Sequence, residues 1–234
     1  MELSNMSLDQ VKENLFLSIK SIHEMHETEN LHENIVQKKK GNMAVVLSVA
    51  TKKDDLMGTY SEFGYVTQEH LECWNLSEDE GFSIAYDNSK KYFPGILEPI
   101  NKYITFSDEF LESDGEEIPS LYVLTNKQHF NGAITLFTEP EQLEALSNKS
   151  DIGKVAVVPI SSDNVICVPL ATEESIKDIS EIYEEFQGYI KRNIGLTQGI
   201  MTYEQETKTF REASGEEFDL DIKNDASIVY GNTR

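Results

Sequence analysis

Apolar residues recur three or four positions apart at Leu8, Val11, Leu15, Ile19, Ile22 and Met25, directly after Ser7. That spacing lines up on one face of a 3.6-residue turn with a serine at its cap, and it predicts an amphipathic helix at the start of the chain. A polar stretch, HETENLHENIVQKKKGN, follows, and then the short valine-rich run Met43 to Ala50, which predicts a buried strand. The next residues, KKDDLMGTYSEFG, read as a loop. Thr67 is placed to cap a helix in VTQEHLECW, and Ser77 with Glu80 has the spacing of a capping box ahead of Phe82 and Ala85, so two short helices are expected. Pro94 and Pro99 punctuate YFPGILEPINKYI, and the acidic run SDEFLESDGEE has no continuous apolar face. It reads as a solvated linker, with a soft boundary near 108–118.

The second half alternates more regularly. Strand LYVLT, a turn, strand AITLF, a helix in EPEQLEALSN, strand KVAVVPI, a polar turn SSDN and strand VICVPL follow with short connections. Thr172, with Glu173 and Glu174 at the positive end, starts a helix whose stripe is Ile176, Ile179, Tyr183, Phe186 and Ile190. Residues 200–211 read as a closing hairpin or edge strand, and the acidic last twenty or so residues are expected to fray. The expected class is α+β, with a helical N-terminal part and a mostly antiparallel sheet packed by helices in the C-terminal half. Its divisions are a helix and polar connection over 1–40, an α+β domain over 41–212, and an acidic tail over 213–234.

Composition narrows the functional classes. With 234 residues, 39% of them hydrophobic and 9% aromatic, the chain has enough apolar material for a substantial core. Its 42 acidic residues against 20 basic ones leave a formal charge of -22, whose field repels phosphate backbones and anionic headgroups. Direct binding to nucleic acid or to a membrane surface is therefore not expected. Solubility explains such acidity, and occupation of a basic nucleic-acid-binding protein by a polyanion mimic is the sharper alternative. The start MELSNMSLDQ lacks the basic and apolar run of a signal peptide, and no stretch reaches the roughly 18 apolar residues of a membrane span, so a cytoplasmic location is expected. Cys73 and Cys167 lack the CxxC spacing of a zinc knuckle or redox pair, and Cys167, inside an apolar run, reads as a core residue.

Candidate chemistry is sparse. His23, His26 and His32 cluster in HEMHETENLH, but not as HExxH and without a cysteine, and they read as a solvent-facing group. Gly153 and Lys154 lack the flanking glycine and hydroxyl of a phosphate loop, and neither GxGxxG nor GxSxG occurs. No metal, cofactor or catalytic residue is assigned. TNKQHFNG, rich in side-chain amides and holding one of five histidines, lies between two apolar runs. Asn131 and Gly132 accept positive φ and Thr125 and Asn126 hydrogen-bond nearby backbone, as a turn requires, while Asn126, His129 and Asn131 also offer donors and acceptors to a ligand. The turn from Ser161 to Asn164 admits the same two readings. Asn126, His129, Asn131, Ser161 and Asn164 are thus the candidate ligand- or partner-binding residues.

LYVLTN, the NG that follows, VVPISSDNVICVP, WNLSEDEGFSIAYDN and MTYEQETKTFR together resemble a family of uncharacterised bacterial proteins frequent in gut Firmicutes, known only as a domain of unknown function. The resemblance spans roughly 43–211 and rests on Trp74, Ala85, Asn88, Thr125, Asn126, Asn131, Gly132, Pro159, Ser161 and Pro169. Asn164 departs from it, standing where the family usually has an acidic residue. The resemblance implies an α+β fold and no established activity. The expected function is a non-enzymatic protein-binding module, carried on a mobile element as the resemblance suggests, acting on a protein partner. The acidic decoy and an unrecognised hydrolase using the Asn131 and Ser161 turns are the alternatives.

Overall fold

The structure, a computed structural model, describes residues 3–22, 34–54, 59–102, 120–128, 130–180, 199–212 and 215–223, by backbone alone over 51–54 and 59–63. The fold is α+β and its sheets are antiparallel. Helix α1 (Leu8–Asn14) begins as its sequence predicts. Ser7 Oγ accepts the Gln10 N–H, and the Gln10 side chain accepts the Ser7 N–H.

The helix then stops at Asn14, and Leu15–Ser21 is a strand, β1, which corrects the expectation of a helix running to Met25. Leu15, Leu17 and Ile19 satisfy a helical stripe in part, yet they also alternate with period two. Pairing with a valine-rich strand selects the second periodicity. That strand is β3 (Met43–Asp54), in register from Leu15 opposite Val49 to Ser21 opposite Met43. On its other side β3 pairs first with β2 (Gln37–Lys40) and then with β4 (Thr59–Tyr65). Both are corrections, since QKKK read as part of a polar connection and TYSEFG as loop.

Helices α2 (Gln68–Trp74) and α3 (Glu78–Tyr92) follow, capped by Thr67 and Ser77 as expected. The second sheet has the order β11-β10-β9-β7-β8-β6-β5. Its strands are β5 (Gly95–Pro99), β6 (Tyr122–Asn126), β7 (Lys154–Pro159), β8 (Val165–Pro169), β9 (Met201–Glu204), β10 (Thr209–Glu212) and β11 (Glu217–Asp219). Proline ends the edge strand β5, where a missing N–H leaves no rung broken.

Ala133–Phe137 is not a strand. Residues Gly132–Ile134 form a 3-10 turn and Thr135–Thr138 a short helix, α4, followed by α5 (Glu141–Ser147). Every residue from Gly132 to Thr138 is buried, so neither period is visible in the run. The buried hydroxyls of Thr135 and Thr138 donate back to the Gly132 and Ile134 carbonyls at 2.7 and 3.3 Å, which satisfies them inside a turn of helix.

One core joins the inward faces of both sheets with α2 and α3. Leu17, Ile19, Val45 and Leu47 meet Leu124, Val157, Cys167 and Tyr203 there, across the acidic run in sequence. The opposite face of the second sheet carries Val123, Ala156, Val158 and Val168, and is covered by Ile176 and Ile179 from a helical segment at 175–180. The rest of the predicted stripe, Tyr183, Phe186 and Ile190, lies outside the described residues, as does the predicted linker. The expectation that the C-terminal residues fray is corrected for 215–223. β11 pairs with β10, and Leu220 and Ile222 enter the main core.

Candidate functional site

Two polar loops meet where the sheets adjoin. The first leaves β6. Asn126 is fully buried: its Nδ2 donates to the Phe130 carbonyl at 2.7 Å, and its Oδ1 accepts the Gln128 N–H at 2.9 Å. Its side chain thus holds the loop closed from within. Asn131 takes the left-handed conformation, φ 52, which asparagine tolerates better than most residues. That conformation aims its Nδ2 at the Leu17 carbonyl of β1, 2.7 Å away and 114 positions distant in sequence. Gly132 does not share the positive φ expected of it. Its need is space, because a Cβ there would stand 2.2 Å from the Asp163 carbonyl oxygen.

The second loop joins β7 to β8. Ser161 Oγ accepts the N–H groups of Asp163 and Asn164, both at 3.2 Å, and the Asn164 carbonyl accepts those of Ile160 and Ser161. Asp163 then binds the first loop. Its Oδ1 accepts the Asn131 N–H at 2.7 Å, and its carbonyl accepts the Thr125 hydroxyl at 2.7 Å. The Ser162 carbonyl accepts the Ala133 N–H at 2.9 Å. Asn131, Ser161 and Asn164 are therefore brought together around Asp163, while Asn126 serves its own loop. His129 lies outside the described residues, as do His23, His26 and His32. The carboxylate in this turn is that of Asp163, one position before Asn164.

Beside these loops opens a recess of about 210 Å³, lined in part by Ile19, Lys20, Tyr65, Phe130, Ser162 and Asp163. Lys20 Nζ lies 5.7 Å from the Tyr65 ring centroid, and Ser18 Oγ, also on the lining, is 2.5 Å from Ser48 Oγ. Sequence reasoning missed Lys20, Tyr65 and Asp163. They come from three strands or loops far apart in the chain, and no local motif marks them.

The edge of β1 that faces this recess is unevenly covered. Leu17 and Ile19 stand in the non-hydrogen-bonded pairs with β3, as the Leu47 bonds to Val36 and Val66 on the far side of β3 require, so their N–H and C=O groups point away from that strand. Asn88 Nδ2 donates to the Leu15 carbonyl at 2.9 Å, Ser89 Oγ accepts the Leu17 N–H at 2.9 Å, and Asn131 covers the Leu17 carbonyl. The next outward pair, on Ile19, has no hydrogen-bond partner among the described residues.

The hydroxyls and thiol here are poorly placed for nucleophilic work. The Ser161 and Thr125 oxygens are engaged with backbone, and burial pushes the Cys167 thiol far up, so it stays protonated. His70 is occupied elsewhere: its Nδ1 accepts the Thr67 N–H at 3.1 Å at the start of α2, and its ring stacks on Trp74. Among the described residues no three His, Cys, Asp or Glu side chains converge as a metal site, and no helix is long and apolar enough to cross a membrane.

No curated protein and no solved structure matches the chain. A family profile described as a family of unknown function, DUF5688, matches residues 2–204. The match begins well before residue 43, where the sequence resemblance was expected to start, and so takes in β1 and β2 as well as the two polar loops. By a match that covers most of its length, the chain belongs to DUF5688, a family of unknown function.

Proposed function

We propose that the protein is a cytoplasmic, non-enzymatic protein-binding module that takes an extended segment of its partner into the recess beside β1. The observation that carries this reading is the outward N–H and C=O pair of Ile19, which has no partner among the described residues and lies fully buried against the recess, so that a segment reaches it as the recess opens. A backbone pair left this way costs free energy that a strand added from outside would recover. Asn88, Ser89 and Asn131 close the same edge one and two rungs earlier, which limits the added segment to the Ile19–Ser21 end. Phe130 and Tyr65 offer aromatic surface to its side chains, and Lys20 and Asp163 offer one charge of each sign. The charge of -22 favours a basic partner, and blocking a nucleic-acid-binding protein is the form of this reading that the field supports.

Selection of peptides from a displayed random library on the full chain, followed by amide hydrogen exchange, tests the reading. Bound peptides should be enriched in Lys and Arg and should slow exchange at Ile19, and raising the salt concentration should weaken them about tenfold. Peptides that bind while the exchange rate at Ile19 stays unchanged, or a library that yields none, would sink it.

A further inference from the structure

Strand β2 turns two lysines inward. Lys38 is 0% exposed and Lys40 2%. Buried ammonium groups are costly unless oxygen atoms surround them, and an apolar side chain of similar volume would generally stabilise such a site as well or better. Their oxygens come from the C-terminal end of the chain. Lys38 Nζ donates to the Ile222 carbonyl at 2.5 Å and lies 4.6 Å from the centroid of Phe82. Lys40 Nζ donates to Asp219 Oδ1 at 2.7 Å and to the Asp221 carbonyl at 2.9 Å. Between these polar anchors Leu220 and Ile222 enter the main core. At the end of β2 the Glu212 carboxylate accepts the Asn42 N–H at 2.6 Å and its Nδ2 at 2.8 Å. The lysines lie inside the family-matched region and every one of these oxygens lies beyond it.

We propose that Lys38 and Lys40 form a second binding slot, one for an acidic extended peptide, and that residues 219–222 occupy it in the resting chain as a displaceable internal ligand. The chemistry of the slot defines its occupant. It takes a carboxylate on Lys40, apolar side chains one and three positions later in the core, and backbone carbonyls on both ammonium groups. The resident Asp-Leu-Asp-Ile has that form. It is held by side-chain anchors more than by backbone pairing, because β11 adds only three paired residues while Leu220 and Ile222 sit in the core and Lys223 Nζ donates to Asp87 Oδ1 at 2.7 Å, and the Asp219 carboxylate is 61% exposed. On release both ammonium groups regain water, which offsets part of the lost contact. The slot is separate from the β1 edge and does not depend on a peptide binding there.

A fluorescein-labelled synthetic peptide of residues 215–223, GEEFDLDIK, titrated into the full chain, tests this. The internal segment competes with the peptide, so weakening it by a given factor strengthens binding in trans by the same factor. Asp219→Asn should therefore bind the peptide about tenfold tighter than the unaltered chain, with Leu220→Ser giving a similar or larger gain. A peptide with asparagine in place of both aspartates should bind at least tenfold more weakly, and adding Lys40→Gln to Asp219→Asn should remove the gain. Asp219 is exposed, so its variant reports even where Leu220→Ser fails to fold. Equal affinity of Asp219→Asn and the unaltered chain, or of the acidic and neutral peptides, overturns the proposal.

Discussion

A methyl group on Gly132 would stand 2.2 Å from the Asp163 carbonyl oxygen and 2.5 Å from Thr125 Oγ1. Backbone oxygen cannot retreat as a flexible side chain can, so Gly132→Ala should destabilise the protein by about 1–3 kcal/mol through overpacking. The left-handed backbone belongs to Asn131 alone of the pair, so Asn131→Gly isolates a different effect. It keeps the conformation and removes only the buried bond to Leu17, leaving that carbonyl unpaired at a cost of about 1–3 kcal/mol. Denaturant unfolding of both variants measures these values. An unchanged midpoint for Gly132→Ala would mean that the two polar loops part more easily than their contacts imply.

The helix caps predict how stability depends on pH. In α2 the His70 ring takes the place usually filled by Glu or Gln in a capping box, and it works only with Nδ1 unprotonated. Burial lowers the His70 pKa below its ordinary 6.5, so its contribution is full above that value and is lost as pH falls through the folded-state value. In α3 hydrogen bonds from the Ser77 backbone and hydroxyl lower the Glu80 pKa below 4.5, and this contribution is lost in a second, more acidic step. Acid titration of the thermal midpoint should show both steps. His70→Gln, which caps without titrating, should remove the upper one and leave the lower. Persistence of the upper step in that variant would assign it to another group. Ser77→Ala should cost about 1 kcal/mol at neutral pH.

Across the entire chain the excess of acids works against compactness, since like charges repel over a Debye length of about 10 Å at 0.1 M salt. Raising ionic strength from low values should therefore raise the thermal midpoint, whereas a fall would mean that ion pairs such as Lys154 with Glu173 outweigh the repulsion. Duplex DNA should show no binding at physiological salt. Two of the three lysines in the run 38–40, the densest basic cluster, point into the core, which leaves only Lys39 facing solvent. Micromolar DNA binding measured by anisotropy would require those lysines to be released.

Elements whose signals are local were legible in the sequence. Ser7, Thr67 and Ser77 cap helices because a hydroxyl and the N–H three residues on belong to the same few positions of chain, and the strands at Tyr122, Lys154 and Val165 are short, strongly apolar runs with clear ends, whereas the strand at Met43 runs on to Asp54 through residues that read as loop. Where a run was compatible with two periods, as from Leu15 to Ser21, or buried on every side, as from Ala133 to Thr138, the outcome depended on neighbours brought from elsewhere. The candidate site was legible as to its polar turns, and Asn131, Ser161 and Asn164 do gather in one place. Asp163, which joins them, and the recess with Lys20 and Tyr65 were not. The bond from Asn131 to Leu17 spans 114 positions and that from Lys38 to Ile222 spans 184. Hydrogen bonding and burial act through space, and a lysine in a polar tripeptide gives no sign along the chain of the carbonyl oxygen that will surround it after folding.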